Sequence, residues 1–112
     1  MHFSLPNGDR DKLLQALINV VGNSVKYAKN QIQIKVSLIR NDIEISVMDD
    51  GDGIPETLLP HVFHRFVRGK DGETGLGLAI SRAIVERCGG VITAQNLDTG
   101  GASVMMRFPA PA

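Results

Sequence analysis

A strict two-residue alternation between Gln31 and Val47 constrains the fold most. Ile32, Ile34, Val36 and Leu38 alternate with Gln33, Lys35 and Ser37, Asn41-Asp42 supplies a turn, and Ile43, Ile45 and Val47 resume the same period. Residues 31–48 therefore predict an antiparallel hairpin with one face turned to a core. Two strands alone are marginal in water, so further elements must cover that face. The 112 residues form one domain, 1–112, long enough to bury roughly two-thirds of the surface the unfolded chain exposes. Met1 and His2 read as residues foreign to it.

Those further elements are legible on both sides of the hairpin. Asp9 can cap a helix from Arg10 to Ala28 that carries Leu13, Leu14, Leu17, Ile18, Val21 and Val25 on one face. Leu76 to Cys88 predicts a second helix, stopped by Gly89 in the left-handed conformation. Val91–Asn96 and Ser103–Phe108 predict two more strands, joined by Asp98-Thr99-Gly100-Gly101 and closed by Pro109. The order helix, two strands, helix, two strands predicts an α+β fold: a two-layer α/β sandwich whose mixed, mostly antiparallel sheet is covered by helices on one face.

Charge and cysteine content narrow the function. Twelve Lys and Arg balance twelve Asp and Glu, which argues against nucleic-acid binding driven by counterion release. One cysteine excludes an internal disulfide scaffold and fits a reducing compartment. No apolar run approaches the roughly 18 residues of a membrane span, and residues 1–10 lack a secretory layout. The expectation is a soluble cytoplasmic piece without membrane contact of its own.

Two features remain unexplained by packing. On the first helix Gln15, Asn19, Gly22, Asn23 and Lys26 share an arc of roughly 100° opposite the apolar residues, and a merely solvated face would carry Glu and Lys instead. Six of the 12 glycines, Gly51, Gly53, Gly69, Gly72, Gly75 and Gly77, fall between a strand end and a helix start. Glycine there lets backbone N–H groups approach a ligand, and the following helix N-terminus presents donors to an anion. The familiar phosphate loops are absent, however. There is no G-x-x-x-x-G-K-[ST], Gly75-Leu-Gly77-Leu-Ala-Ile fails G-x-G-x-x-G, and H-R-D and D-F-G are missing.

Taken together, these segments carry a resemblance. Asn19-Val-Val-Gly-Asn23-Ser-Val-Lys26-Tyr27 resembles an N box, Asp49-Asp-Gly51-Asp-Gly53-Ile-Pro a G1 box, Val62-Phe63-His-Arg-Phe66-Val-Arg68 an F box, and Thr74-Gly75-Leu-Gly77-Leu-Ala-Ile a G2 box. In that order they resemble the catalytic, ATP-binding domain of bacterial sensor histidine kinases, which shares the Bergerat fold with gyrase, Hsp90 and the mismatch-repair ATPases.

The resemblance implies ATP and Mg²⁺ as cofactors, with Asn23 as the metal ligand, a hard cation being satisfied by a carboxamide oxygen when phosphates supply the charge. It implies that Asn19 supports that site, that Lys26 reaches phosphate and that Tyr27 follows as usual. Asp49 would accept a hydrogen bond from the adenine amino group and repel the guanine carbonyl. Gly51, Gly53 and Ile54 would complete the adenine side, and Thr74, Gly75, Leu76, Gly77 and Leu78 the phosphate side under a lid over 67–74. Phe63 and Phe66 would anchor that lid, and Arg68 would stabilise charge in transfer. Asn23, Lys26 and Arg68 form the implied catalytic set.

Asp50 and Asp52 read as exposed loop charges, His61 and His64 as surface histidines, and Cys88 as structural. Three residues depart from the family pattern: Glu73 and Gly72 at the head of the G2 box, and Ala102 where Ser or Thr is usual. The lid is also short.

The implied activity is γ-phosphoryl transfer to a histidine on a separate dimerisation domain, in two-component signalling with a response regulator. No H-E-x-x-x-P segment surrounds His2, His61 or His64, so the acceptor lies elsewhere in a parent expected to be dimeric and in the bacterial inner membrane. The alternatives are an ATP-hydrolysing clamp of the gyrase or Hsp90 kind, a silent nucleotide-sensing or docking module, and a serine kinase of the anti-sigma type. The clamp needs an acidic base one turn before Asn23, where this chain has Asn19. The F box weighs against the serine kinase.

Overall fold

The computed structural model describes residues 7–64 and 76–109. Helix α1 (Asn7–Tyr27) leads to strands β1 (Ile32–Ile39) and β2 (Asp42–Asp49), a short 3₁₀ turn (Leu59–His61), helix α2 (Leu76–Arg87), and strands β3 (Val91–Asn96) and β4 (Ala102–Pro109). The four strands make one sheet in the order β1-β2-β4-β3, every neighbouring pair antiparallel. The expected two-layer α+β sandwich is therefore found, and the described sheet has no parallel pair. No helix among the described residues is long and apolar enough to cross a membrane.

Register explains the core. Ile34 faces Val47, Val36 faces Ile45 and Leu38 faces Ile43, and Val47, Ile45 and Ile43 in turn face Val104, Met106 and Phe108. Directly opposed residues share a face, so one apolar side runs across β1, β2 and β4. Helices α1 and α2 pack against each other on that side, α1 over β2 and α2 over β3. Ala16, Val20, Val47, Val85, Val104 and Met106 are almost completely buried between the layers. Ser81 joins the helices, its hydroxyl donating to the Ala16 carbonyl at 3.0 Å.

Two expectations change. Ile34, Val36 and Leu38 are 49%, 63% and 55% exposed although their partners on β2 are buried or half-buried, because α1 sits over β2 and nothing described covers the inner face of the edge strand. On α1 the buried line is Ala16, Val20 and Ser24, with Leu13, Leu17 and Val21 half-buried, while Leu14, Ile18 and Val25 are exposed. At 100° per residue these last three fall on one flank and Asn19, Asn23 and Lys26 on the opposite flank. The backbone of Asp9 lies within α1, which spans Asn7–Tyr27 where the sequence predicts a helix from Arg10 to Ala28. The other boundaries move by a residue or so, as helix and strand ends commonly do.

Helix α2 stops as expected. Gly89 has φ +80°, its N–H bonds the Glu86 carbonyl at 3.0 Å and the Gly90 N–H bonds Val85 at 2.9 Å, the paired bonds of a Schellman ending. Cys88 just before it is half-buried and free of a disulfide. A Cβ on Gly90 would meet the Phe108 ring at 2.8 Å, so the glycine pair lets the chain pass close under β4.

Candidate nucleotide site

The loop after β2 is held by side chains that are remote in sequence. Asp49, the last residue of β2, is half-buried. Its Oδ1 accepts the Gly51 N–H at 2.9 Å and the Ala102 N–H at 3.4 Å. No donor among the described residues meets Oδ2. One oxygen thus fixes the carboxylate, and the other is engaged by no described group.

Glycine at two neighbouring positions is a steric requirement. A Cβ on Gly51 would collide with the Tyr27 carbonyl oxygen at the end of α1. A Cβ on Gly101 would collide with the Asp49 carbonyl oxygen, and Gly101 has φ +89°. The last turn of α1, the end of β2 and the β3–β4 turn therefore meet backbone to backbone.

Asp50, expected as an exposed loop charge, is half-buried and hydrogen-bonded. Its Oδ1 accepts the N–H groups of Lys29, Asn30 and Gln31 at 2.9, 3.0 and 3.2 Å, and its Oδ2 also accepts that of Asn30 at 3.1 Å. These donors satisfy the connection from α1 to β1. They hold the Asp50 carboxyl below its ordinary pKa, the Asn30 N–H contributing most, against the opposing effect of desolvation. Asp52 is exposed, yet it forms an ion pair with Lys29 at 2.9 Å. That hydrogen bond, followed by the charge of Asp52, raises the Lys29 pKa.

Asn96, at the end of β3, escapes sequence reasoning. Its Oδ1 accepts the Ile54 N–H at 2.7 Å and its Nδ2 donates to the Ile54 carbonyl at 2.8 Å. Nothing local marks it, since its partner lies 42 residues away.

The other predicted residues fall as follows. Asn19 and Asn23 are half-buried on the flank of α1 nearest Ala16 and hence α2, and Lys26 is exposed with its ammonium 5.6 Å from the half-buried Tyr27 ring. Gly53, with φ +83°, and Ile54 lie on the loop clasped by Asn96. Leu76 and Gly77 open α2, and Leu78 is buried in the core. Arg68, Thr74 and Gly75, together with Phe66 and the lid at 67–74, lie outside the described residues. Val62 is buried and Phe63 packs against the core cluster, as an anchoring segment would. His61 and His64 are exposed with rings 5.0 Å apart, and no group of three or more His, Cys, Asp or Glu able to hold a metal occurs among the described residues.

Comparison with known proteins agrees with this layout. A family model described as histidine kinase-, DNA gyrase B- and HSP90-like ATPase matches residues 8–112. The signal transduction histidine-protein kinase AfsQ2 of Streptomyces coelicolor is 39% identical over 106 residues, covering 90% of this chain and 20% of that protein. The sensor histidine kinase WalK of Bacillus subtilis is 37% identical over 111 residues, covering 90% of this chain and 18% of its own length. Full-length ShkA, solved in complex with AMPPNP, superposes with a TM-score of 0.79 at 30% identity, over 90% of this chain and 22% of that one. The chain thus spans about a fifth of the relatives it matches. It belongs to the histidine kinase-, DNA gyrase B- and HSP90-like ATPase family, as the catalytic ATP-binding domain of a sensor histidine kinase.

Proposed function

We propose that the domain holds ATP with its adenine amino group on Asp49 and presents the γ-phosphoryl to a histidine of the kinase's own dimerisation domain. One arrangement carries the reading: Oδ1 of Asp49 is engaged by the N–H groups of Gly51 and Ala102, so Oδ2 can accept from the adenine amino group. Guanine would set its carbonyl oxygen against that carboxylate, two acceptors facing each other in a half-buried site.

Magnesium suits the donor set on α1. Magnesium keeps several waters and takes most of its other ligands from phosphate, so one carboxamide oxygen is enough protein ligation. Asn23 would hold it through the carboxamide oxygen, supported by Asn19 one turn earlier. When bound, the ion neutralises phosphate charge. Lys26 on the same flank adds a cation, and Arg68 and the amides at 75–77 complete the phosphate side. Helix α2, which spans Leu76–Arg87, would offer the positive end of its dipole to those phosphates.

Phosphoryl transfer asks for positioning and charge neutralisation, with the acceptor imidazole as nucleophile. Asn19 occupies the place where a hydrolysing clamp carries its acidic base, and a carboxamide cannot take a proton from water. Transfer is therefore favoured over hydrolysis. The parent is proposed to be a dimeric bacterial inner-membrane kinase with this domain in the cytoplasm, phosphorylating a response regulator through its histidine.

Calorimetric titration with ATP and GTP tests the reading, using Asp49→Asn as the probe. Because the backbone N–H groups retain Oδ1, the new Nδ2 would face the adenine amino group, donor against donor. ATP affinity should fall about 10- to 100-fold, from roughly 1–3 kcal/mol for an unmatched polar pair, and GTP should gain relative to ATP. Equal affinity of the wild type for both nucleotides would sink the assignment.

A further inference from the structure

We infer that Asn96 is a positioning residue for the nucleotide: its carboxamide acts as a one-residue strand that docks the Gly53–Ile54 backbone onto the end of the sheet. The inference rests on the adenine site proposed above and adds what sets the affinity of that site. A peptide unit inside a sheet is paired through both its N–H and its C=O. Ile54 lies outside any strand, yet the Asn96 side chain pairs both groups, at 2.7 and 2.8 Å.

The contact is closely fitted. A Cβ on Gly53 would meet Asn96 Oδ1 at 2.9 Å and the Gly101 carbonyl at 3.4 Å, so the loop lies directly against β3 and the turn after it. That turn is itself braced, the Leu97 N–H bonding the Gly101 carbonyl at 3.0 Å and the Gly100 N–H bonding Leu97 at 3.1 Å. Asn96 also faces Ala102 across the β3–β4 ladder, and the Ala102 N–H reaches Asp49 Oδ1. One rung of the sheet thus holds residues 49–54 at both ends: Ala102 grips Asp49, and Asn96 grips Ile54. A loop ordered before the ligand arrives spares the ordering cost that binding would otherwise carry.

The test uses the 112-residue chain and ADP, titrated by calorimetry at about pH 7.5, with folding checked by urea denaturation. Asn96→Ala should weaken ADP binding about 10-fold, the scale of two lost hydrogen bonds, while the chain stays folded. Amide hydrogen exchange at Ile54 should speed up, and exchange at Val47 and Met106 should not. Asn96→Asp gives a readout that a bulk packing role would not move. Its carboxylate can accept from the Ile54 N–H but cannot donate to the Ile54 carbonyl, whereas the protonated acid can do both. Its ADP affinity relative to wild type should therefore recover as pH is lowered from about 7.5 to about 4.5, towards the ordinary range of an aspartate, while Asn96→Ala shows no recovery. Wild-type binding that Asn96→Ala leaves within about twofold, or a flat pH dependence for Asn96→Asp, would overturn the role of Asn96 alone. Failure of the wild type to bind ADP would refute the adenine reading and this role with it.

Discussion

Gly100 and Gly101 stand side by side in the β3–β4 turn with φ of +100° and +89°, so comparing an alanine at each separates backbone strain from collision. An L-residue in the left-handed region costs roughly 1–2 kcal/mol, and replacing glycine returns roughly 0.4–1 kcal/mol by restricting the unfolded chain. Around Gly100 a new Cβ meets nothing within 4 Å, so Gly100→Ala should cost about 1 kcal/mol. At Gly101 the same strain is joined by the Asp49 carbonyl oxygen inside the space of the methyl group, the carbonyl carbon at 2.8 Å and the Asp50 Cα at 3.1 Å. All three are backbone atoms at the end of a strand paired on both sides, where no rotamer change can relieve the contact. Relief needs a backbone shift on the order of 1 Å, and such overpacking adds about 1–3 kcal/mol. Gly101→Ala should therefore cost about 3 kcal/mol, a large part of the roughly 5–15 kcal/mol that holds a domain together. At a urea slope of about 1–3 kcal/mol per M, the two midpoints should differ by roughly 1 M, and Gly101→Ala should also weaken ATP binding by displacing Asp49. Equal midpoints would refute the claim that this turn presses on the Asp49 backbone, and an unchanged ATP affinity for Gly101→Ala would count against the proposed adenine contact of Asp49.

Other substitutions probe other parts of the molecule. Gly22 sits in the interior of α1, and a methyl group added there would meet nothing within 4 Å, so Gly22→Ala should raise stability by about 0.5–1 kcal/mol in thermal or urea unfolding. Ser81→Ala removes the one described side-chain hydrogen bond between the helices and should cost about 1 kcal/mol, since the Ala16 carbonyl keeps its helical partner. For Asp50 the native pKa lies below the unfolded value of roughly 3.9. Its stabilising effect is fully present above that value and disappears as pH falls through the native one. Asp50→Asn should therefore be less stable than wild type at about pH 7 and match it in strong acid, and a gap that widens on acidification would contradict the backbone bonds assigned to Asp50.

Local pattern controls what is legible in the sequence. Two-residue alternation locates the hairpin, the turn at Asp98–Gly101 and Pro109 delimit the two later strands, and Gly89 locates the end of α2. Which face is apolar is also readable, but whether a helix covers it is not. Ile34 and Val36 carry the same signal as Val47 and Val104, and only their place at the edge of the sheet leaves them exposed. The order of the boxes brings Asp49, Gly51 and Tyr27 into view, and the fold does place them in contact. The loop's supports are hidden because their partners are distant: Asp50 has the local signature of a solvated charge, yet the amides of residues 29–31 converge on it, and Asn96 has that of an ordinary strand end.

The contacts of that loop also bear on when a nucleotide can bind during the life of the chain. Asp49 is completed by an N–H located 53 residues further on, and Ile54 by a side chain 42 residues further on. A nascent chain that has emerged only as far as α2 has its hairpin and first helix but lacks both partners that hold residues 49–54, where the adenine contact is proposed. If Asp49 holds adenine as proposed, binding competence should arrive only with the last strand, because these long-range contacts form late. A nucleotide that engages this loop is accordingly linked to the stability of the whole domain, since the loop cannot open without parting from β4. Heating the chain with and without ADP should therefore move one unfolding transition as a unit, with no separate melting of the loop.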